Sequence, residues 1–265
     1  MGNLKHLVQV IAKLRSPEGC PWDRAQTLKS MRSYLIEETY EVLEAIGLSD
    51  DDPVRPALLT EELGDLLFNV LMLIQIASDA GDTSLQQVVA RITDKMITRH
   101  PHVFGPDGQD AAGGSLEAWE AIKARRKTRK SRLDGIPQAL PALLRAHRQG
   151  EKAGLVGFDW SHHDGVFAKM HEEEAELREA LAGGSPERIA SEYGDLLMAT
   201  ASLGRHIGAS PEDALQDANA RFRARFAEME AIARQRGEDL AELDDEALDG
   251  LWETAKRALS TSRQT

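Results

Sequence analysis

The chain has 265 residues, a formal net charge of −12 and 42% hydrophobic residues. That apolar content supports one large or two small packed domains and excludes global disorder. The acidic balance argues against a nucleic-acid polymer as the main partner, but not against a nucleotide, because bound cations reverse charge locally.

In chain order, Leu4, Leu7, Val8, Ile11 and Leu14 recur at helical spacing. This amphipathic start lacks the features of a signal peptide. Ser16 to Asp23 (Ser-Pro-Glu-Gly-Cys-Pro-Trp-Asp) is expected to be a loop. Cys20 is the single cysteine, which excludes a disulfide framework and a CxxC zinc site. Helices are expected over about 28–48, 57–80 and 84–99, with a Gly/Pro-rich loop over 100–114 and a helix over 115–132 that becomes strongly basic. The most apolar run, Leu66 to Ala77, contains Asn69 and Gln75 and is too short to span a bilayer. A soluble cytoplasmic protein is therefore expected.

Gly135, Pro137 and Pro141 mark 133–141 as a linker. Beyond it, helices are expected over about 139–152, 164–181, 186–207, 211–236 and 245–259, with a loop at Gly154 to Trp160. No segment alternates with period two, so the fold is expected to be all-α. The predicted organisation is an N-terminal domain over 1–132, the linker 133–141 and a C-terminal domain over 142–265.

Two acidic words are each written twice. Glu37-Glu38-Thr39-Tyr40-Glu41 is followed by Glu62-Leu63-Gly64-Asp65, and Glu172-Glu173-Glu174-Ala175-Glu176 by Glu192-Tyr193-Gly194-Asp195. Residues three or four apart share a helix face, so each half can gather carboxylates from two neighbouring helices. Glu38 sits on an apolar seam with Leu28, Met31, Leu35, Val42 and Ala45. Glu173 interrupts a seam of Val166, Met170, Leu177 and Leu181. A carboxylate on a packing seam is costly unless it is paired or metal-bound. A lone EExxE is usually a solvated helix face; the seam placement, the ExxD partner and the repetition favour a metal site.

Carboxylates without His or Cys suit hard cations such as Mg²⁺ or Mn²⁺. Di-iron bundles use Glu-x-x-His, and no His lies three after these acids. Magnesium is commonly shared with substrate phosphates. Lys95 with Arg99, and Arg221 with Arg225, offer cations one turn apart for the remaining phosphate charge. Trp119 with Lys123 repeats as Trp252 with Lys256. Such tryptophans are most often core residues, though one near a phosphate site can stack on a base. Such a set would hydrolyse a phosphoanhydride with metal assistance.

Over nearly its whole length the chain resembles the two-domain MazG family of nucleoside triphosphate pyrophosphohydrolases. The resemblance rests on Gly19-Cys-Pro-Trp-Asp23 with Gln26-Thr27, Arg99-His-Pro-His-Val-Phe104, Val156-Gly-Phe-Asp-Trp160 and both pairs of acidic words. It implies an intertwined homodimer of tandem duplicated, four-helix-type domains. It also implies Mg²⁺-dependent hydrolysis of NTPs and dNTPs to the monophosphate and pyrophosphate, in a house-cleaning or stress-response role. By the same resemblance, Glu173, Glu176, Glu192 and Asp195 would ligate metal in the second half, and Glu38, Glu41, Glu62 and Asp65 in the first. Glu172 and Glu37 would orient or deprotonate water. Lys169, Arg221, Arg225, Trp252 and Lys256 would line the second nucleotide site, with Lys95, Arg99, Trp119 and Lys123 in corresponding places in the first half. A related all-α dUTPase, a phosphoribosyl-ATP pyrophosphohydrolase and a non-catalytic nucleotide-binding regulator remain alternatives at this stage.

Overall fold

The structure, a computed structural model, describes residues 3–104 and 131–261. Trp119, Lys123 and most of the basic helix expected over 115–132 lie outside the described residues. The described residues form helices and no strand, so the fold is all-α. The chain divides into two compact units, Met1–Arg126 and Lys127–Thr265.

The first unit contains α1 (Leu4–Leu14), α2 (Pro21–Ala25), α3 (Met31–Gly47), α4 (Arg55–Asp79), α5 (Leu85–Arg99) and the short α6 (Pro101–Phe104). The Asn3 side chain caps α1 by accepting from the His6 amide, and Ser84 caps α5 through the Gln87 amide. Ile11, Met31, Leu71, Met72 and Ile76 form the core, which draws α1, α3 and α4 together. Two stretches expected as loops contain short helices. Pro21 pre-sets the first turn of α2, and Pro101 opens α6. Leu28 is exposed, contrary to the expected seam. Thr27 and Ser30 exchange amide-to-hydroxyl hydrogen bonds of 2.9 and 3.1 Å, making a turn that delays α3 until Met31.

The second unit contains α7 (Ala142–Gly154), α8 (His163–Gly183), α9 (Pro186–Ile207), α10 (Pro211–Arg236), a 3₁₀ turn (Leu240–Glu242) and α11 (Asp245–Thr261). Ser185 and Ser210 cap α9 and α10 ahead of a proline. Gly208 and Gly237 end these helices at φ of 69° and 70°, a left-handed geometry that favours glycine. Helix α8 packs on α9, α9 also packs on α7, and α10 pairs mainly with α11. Met229, Ala233, Leu251 and Ala255 form the α10–α11 core. Leu181, expected on the α8 seam, is exposed near the helix end, whereas Val166 and Ala180 are buried. The stretch read as a linker is fastened to α7: Lys152 donates to the Asp134 carbonyl at 2.7 Å and Arg145 to that of Gln138 at 2.8 Å.

Candidate functional site

In the first unit the α3–α4 hairpin gathers Glu38, Glu41 and Glu62, with carboxylate oxygens within 4.8 Å of one another. Glu38 and Glu62 are half-buried. No ion pair among the described residues involves any of the three. Desolvation, followed by repulsion from Glu41, Asp65 and Glu62, pushes Glu38 above the usual carboxylate range. Desolvation and then Glu41, with other neighbouring acids, do the same to Glu62. Asp65 repels Glu38 but is exposed and outside the three-acid group. Asn69, one turn beyond it on α4, is 5% exposed, an interior polar position on the stripe that carries the acids.

In the second unit the α8–α9 hairpin gathers Glu173, Glu176 and Glu192 within the same 4.8 Å limit. Glu173 is 5% exposed. Unlike the first group, this one carries its own counter-charge. Lys169 lies 2.7 Å from both Glu172 and Glu173. Arg188 lies 3.7 Å from Glu192 and 3.2 Å from Glu179. The hydrogen bonds to Glu172 and Glu173 raise the Lys169 ammonium above its usual range. Asp195 is exposed and, like Asp65, outside the three-acid group. Arg188 was not among the residues singled out by motif, although its i,i+4 spacing to Glu192 is readable on a helix.

Glu37 and Glu172 are both exposed, next to the buried-face acid of each word. The expected phosphate cations occupy other helices. Lys95 and Arg99 lie on α5, which packs on α4. Arg221 and Arg225 lie on α10 with exposed Phe222. The Arg225 guanidinium is 6.0 Å from the centre of the half-buried Trp252 ring, and Phe222 is 5.3 Å from it. Lys256 pairs with Glu253 at 2.7 Å. Among the described residues, no ion pair joins Lys95, Arg99, Arg221 or Arg225 to the acid groups.

In each unit an arginine–aspartate pair fastens the loop that precedes the first acidic helix. In the first, Arg15 donates to Asp79 at 2.7 Å and to the carbonyls of Asp23 and Gln26 at 2.6 and 3.2 Å. In the second, Arg205 at the end of α9 donates to both oxygens of Asp159 at 3.2 and 2.8 Å, and His206 lies 3.2 Å from the same carboxylate. Gly150 makes room: a Cβ there would sit 1.9 Å from the Arg205 guanidinium. Burial alone would raise Asp159, but Arg205 and His206 outweigh it and hold the carboxyl below its usual range. Sequence motifs did not reveal these fastenings, because each joins residues far apart in the chain.

Three carboxylates converging from two helices, with no His or Cys, make a donor set that fits a hard divalent cation. Residues 26–104 match the family described as the MazG nucleotide pyrophosphohydrolase domain. The chain is 44% identical over 254 residues to the nucleoside triphosphate pyrophosphohydrolase/pyrophosphatase MazG of Thermotoga maritima, covering 95% of each chain. It is 40% identical over 265 residues to the nucleoside triphosphate pyrophosphohydrolase of Escherichia coli K12, covering 97% of this chain and 98% of that one. It is also 40% identical over 250 residues to the uncharacterized protein YabN of Bacillus subtilis, covering 93% of this chain and 50% of that one. With two full-length relatives above 30% identity and the matching domain, the chain belongs to the MazG family.

Proposed function

We propose that this protein is a Mg²⁺-dependent nucleoside triphosphate pyrophosphohydrolase, converting NTPs and dNTPs with water to the monophosphate and pyrophosphate. The observation that carries this reading is the pair of convergent all-carboxylate groups, Glu38/Glu41/Glu62 and Glu173/Glu176/Glu192, in a chain of this family. Broad base tolerance, a house-cleaning or stress-response role and a cytoplasmic location are part of the proposal. Among the described residues no helix is long and apolar enough to cross a membrane.

Glu173, Glu176 and Glu192 would hold the cation in the second half, with Asp195 joining from the next turn; Glu38, Glu41, Glu62 and Asp65 would do so in the first. The bound cation would neutralise phosphate charge and favour attack by water. Glu172, beside the buried Glu173, orients the attacking water and accepts its proton; Glu37 is the corresponding group in the first half. Arg221 and Arg225 grip phosphate oxygens with paired N–H donors, which lysine cannot reproduce. Lys169 and Lys256 supply point charges, and Trp252 offers an aromatic face to the base. Attack at phosphorus breaks the α–β anhydride bond and releases pyrophosphate. Lys169 and this arginine helix favour the second half as the main catalytic site.

The domains are proposed to be tandem duplicates spanning 1–132 and 142–265. A homodimer is proposed as the working form. Leu63, Leu67 and Val70 on α4, and Tyr193 and Leu197 on α9, are large and exposed in the single chain, and exposed apolar surface of this kind commonly marks association sites. Pairing of copies would also allow α10 cations to reach acids with which they form no ion pair among the described residues.

The test is pyrophosphate release across the common NTPs and dNTPs. Release should cease with excess chelator and return with Mg²⁺ or Mn²⁺. Full turnover in chelator would overturn the metal reading, and turnover confined to one base would overturn the broad-tolerance reading. Sedimentation of an active monomer at micromolar concentration would contradict the dimer.

A further inference from the structure

The two acid groups have the same three carboxylates but different local charge balance. Glu38, Glu41 and Glu62 have no ion-pair partner among the described residues. In the second unit the Lys169 ammonium lies 2.7 Å from the carboxylate of buried Glu173 and 2.7 Å from that of Glu172. On the second helix of the hairpin, Arg188 lies 3.7 Å from Glu192 one turn along the same helix. Two of the three acids that converge there, Glu173 and Glu192, therefore already have a cationic neighbour.

We propose that Lys169, assisted by Arg188, is a built-in counter-ion that couples cation binding in the second half to triphosphate binding. The inference rests on the carboxylate cation site proposed above and adds an order of filling to it. A divalent cation taking Glu173 brings positive charge next to an ammonium that shares the same carboxylate. Lys169 must then give up Glu173, and without a new anionic partner its charge opposes the incoming ion. The oxygens of a triphosphate are such a partner. Cation and triphosphate therefore assist each other in the second half, and the coupling is reciprocal. Among the described residues the first group has no cation to displace, and its mutually repelling carboxylates are relieved by the ion directly. It fills first and without nucleotide.

Lys169 thus acts as a positioning and gating residue before it serves as a phosphate contact. The position is specific to the second half. Aligning Glu173 with Glu38 places Lys169 opposite the uncharged Tyr34, and aligning Glu192 with Glu62 places Arg188 opposite Leu58.

The test is a Mn²⁺ titration of the full chain, reading free ion by electron paramagnetic resonance. It is run alone and with an ATP analogue carrying a methylene bridge in place of the α–β oxygen. Without the analogue, the tighter class of sites should vanish in Glu41→Gln and persist in Glu176→Gln. With the analogue, a second class should tighten about tenfold or more and vanish in Glu176→Gln. Lys169→Met should tighten that second class about tenfold without the analogue and shrink the analogue's effect, with Arg188→Met doing the same to a smaller degree. Circular dichroism checks that each variant is folded, and Arg188→Met carries the test if Lys169→Met does not fold. Mn²⁺ binding that is equal in both halves, or unchanged by removing either cation, overturns the coupling and leaves the carboxylate sites standing. Loss of the nucleotide-free class in Glu176→Gln but not in Glu41→Gln also overturns it. No Mn²⁺ binding with or without the analogue overturns the cation sites themselves, and the coupling with them.

Discussion

The α3–α4 and α8–α9 hairpins carry the same acidic spacing in different electrostatic surroundings. On α3–α4, Glu38 and Glu62 are raised by desolvation and then by neighbouring acids, with no ion-pair partner among the described residues. On α8–α9, Lys169 and Arg188 lie among the acids. The acidic motif is therefore only half of the site's design. One turn ahead of the acids on each helix, a cation such as Lys169 or Arg188 gives them a positive neighbour that Tyr34 and Leu58, at the corresponding positions, do not supply. The loop fastenings teach the same lesson with the charges exchanged. In the first unit the arginine follows α1 and the aspartate ends α4; in the second the aspartate is in the loop and the arginine is on α9.

Among changes that leave the acid groups intact, the largest effect that sharpens this comparison is expected at the phosphate cations. Arg225→Lys keeps the charge but loses the paired N–H geometry, and should raise KM for a triphosphate about tenfold with little change in kcat. Arg99→Lys in the first half should change KM less than twofold. Equal effects in steady-state kinetics would erase the distinction between the halves.

A smaller effect, opposite in sign between the halves, is expected in thermal unfolding without divalent ions. The raised carboxyl of Glu38 favours the folded state while protonated, and that advantage is lost as pH rises through the raised value. Above that value its charge is a burden on the empty hairpin, so Glu38→Gln should raise Tm by a few degrees at neutral pH. Glu173→Gln removes a buried carboxylate that holds Lys169, and should lower Tm by a few degrees. Calorimetry showing the same sign for both variants would break the contrast.

The smallest effect concerns the loop fastening of the second unit. Asp159 is held below its ordinary value of 3.8. Its stabilising contribution is thus present above 3.8 and disappears as pH falls through the lower folded value. Asp159→Asn should reduce Tm modestly at neutral pH, and the difference from the unaltered chain should close below that range. A difference that persists undiminished in acid would remove the charge from the explanation.

The all-α fold was legible because helix starts and stops are written locally. Ser-Pro at 185–186 and 210–211, with Gly208 and Gly237 at the far ends, bound α9 and α10 at the residues expected. The start of α3 was less legible, because the reciprocal Thr27–Ser30 turn competes with helix extension through Leu28. In the candidate site, the three-acid convergence followed from spacing and seam placement. The fourth acid did not follow as directly. Asp65 and Asp195 lie beside rather than within each three-acid group, although they follow Glu62 and Glu192 at the same three-residue spacing that joins Glu38 to Glu41 and Glu173 to Glu176, so spacing alone does not tell which acids converge. Arg188 was readable from its i,i+4 partner. The Arg15–Asp79 and Asp159–Arg205 pairs were not, because no local pattern links residues so far apart in the chain.

The central claim is that the second acid group carries the main pyrophosphohydrolase activity. Its most direct test is phosphorus NMR of products formed from one NTP and one dNTP with Mg²⁺ by the unaltered chain, Glu38→Gln and Glu173→Gln. The expected result is monophosphate and pyrophosphate at a near-normal rate from Glu38→Gln, and a rate reduced about 100-fold or more in Glu173→Gln. Turnover abolished by Glu38→Gln and intact in Glu173→Gln would reverse the assignment. Normal turnover in both variants would make the acidic words structural and contradict the claim outright.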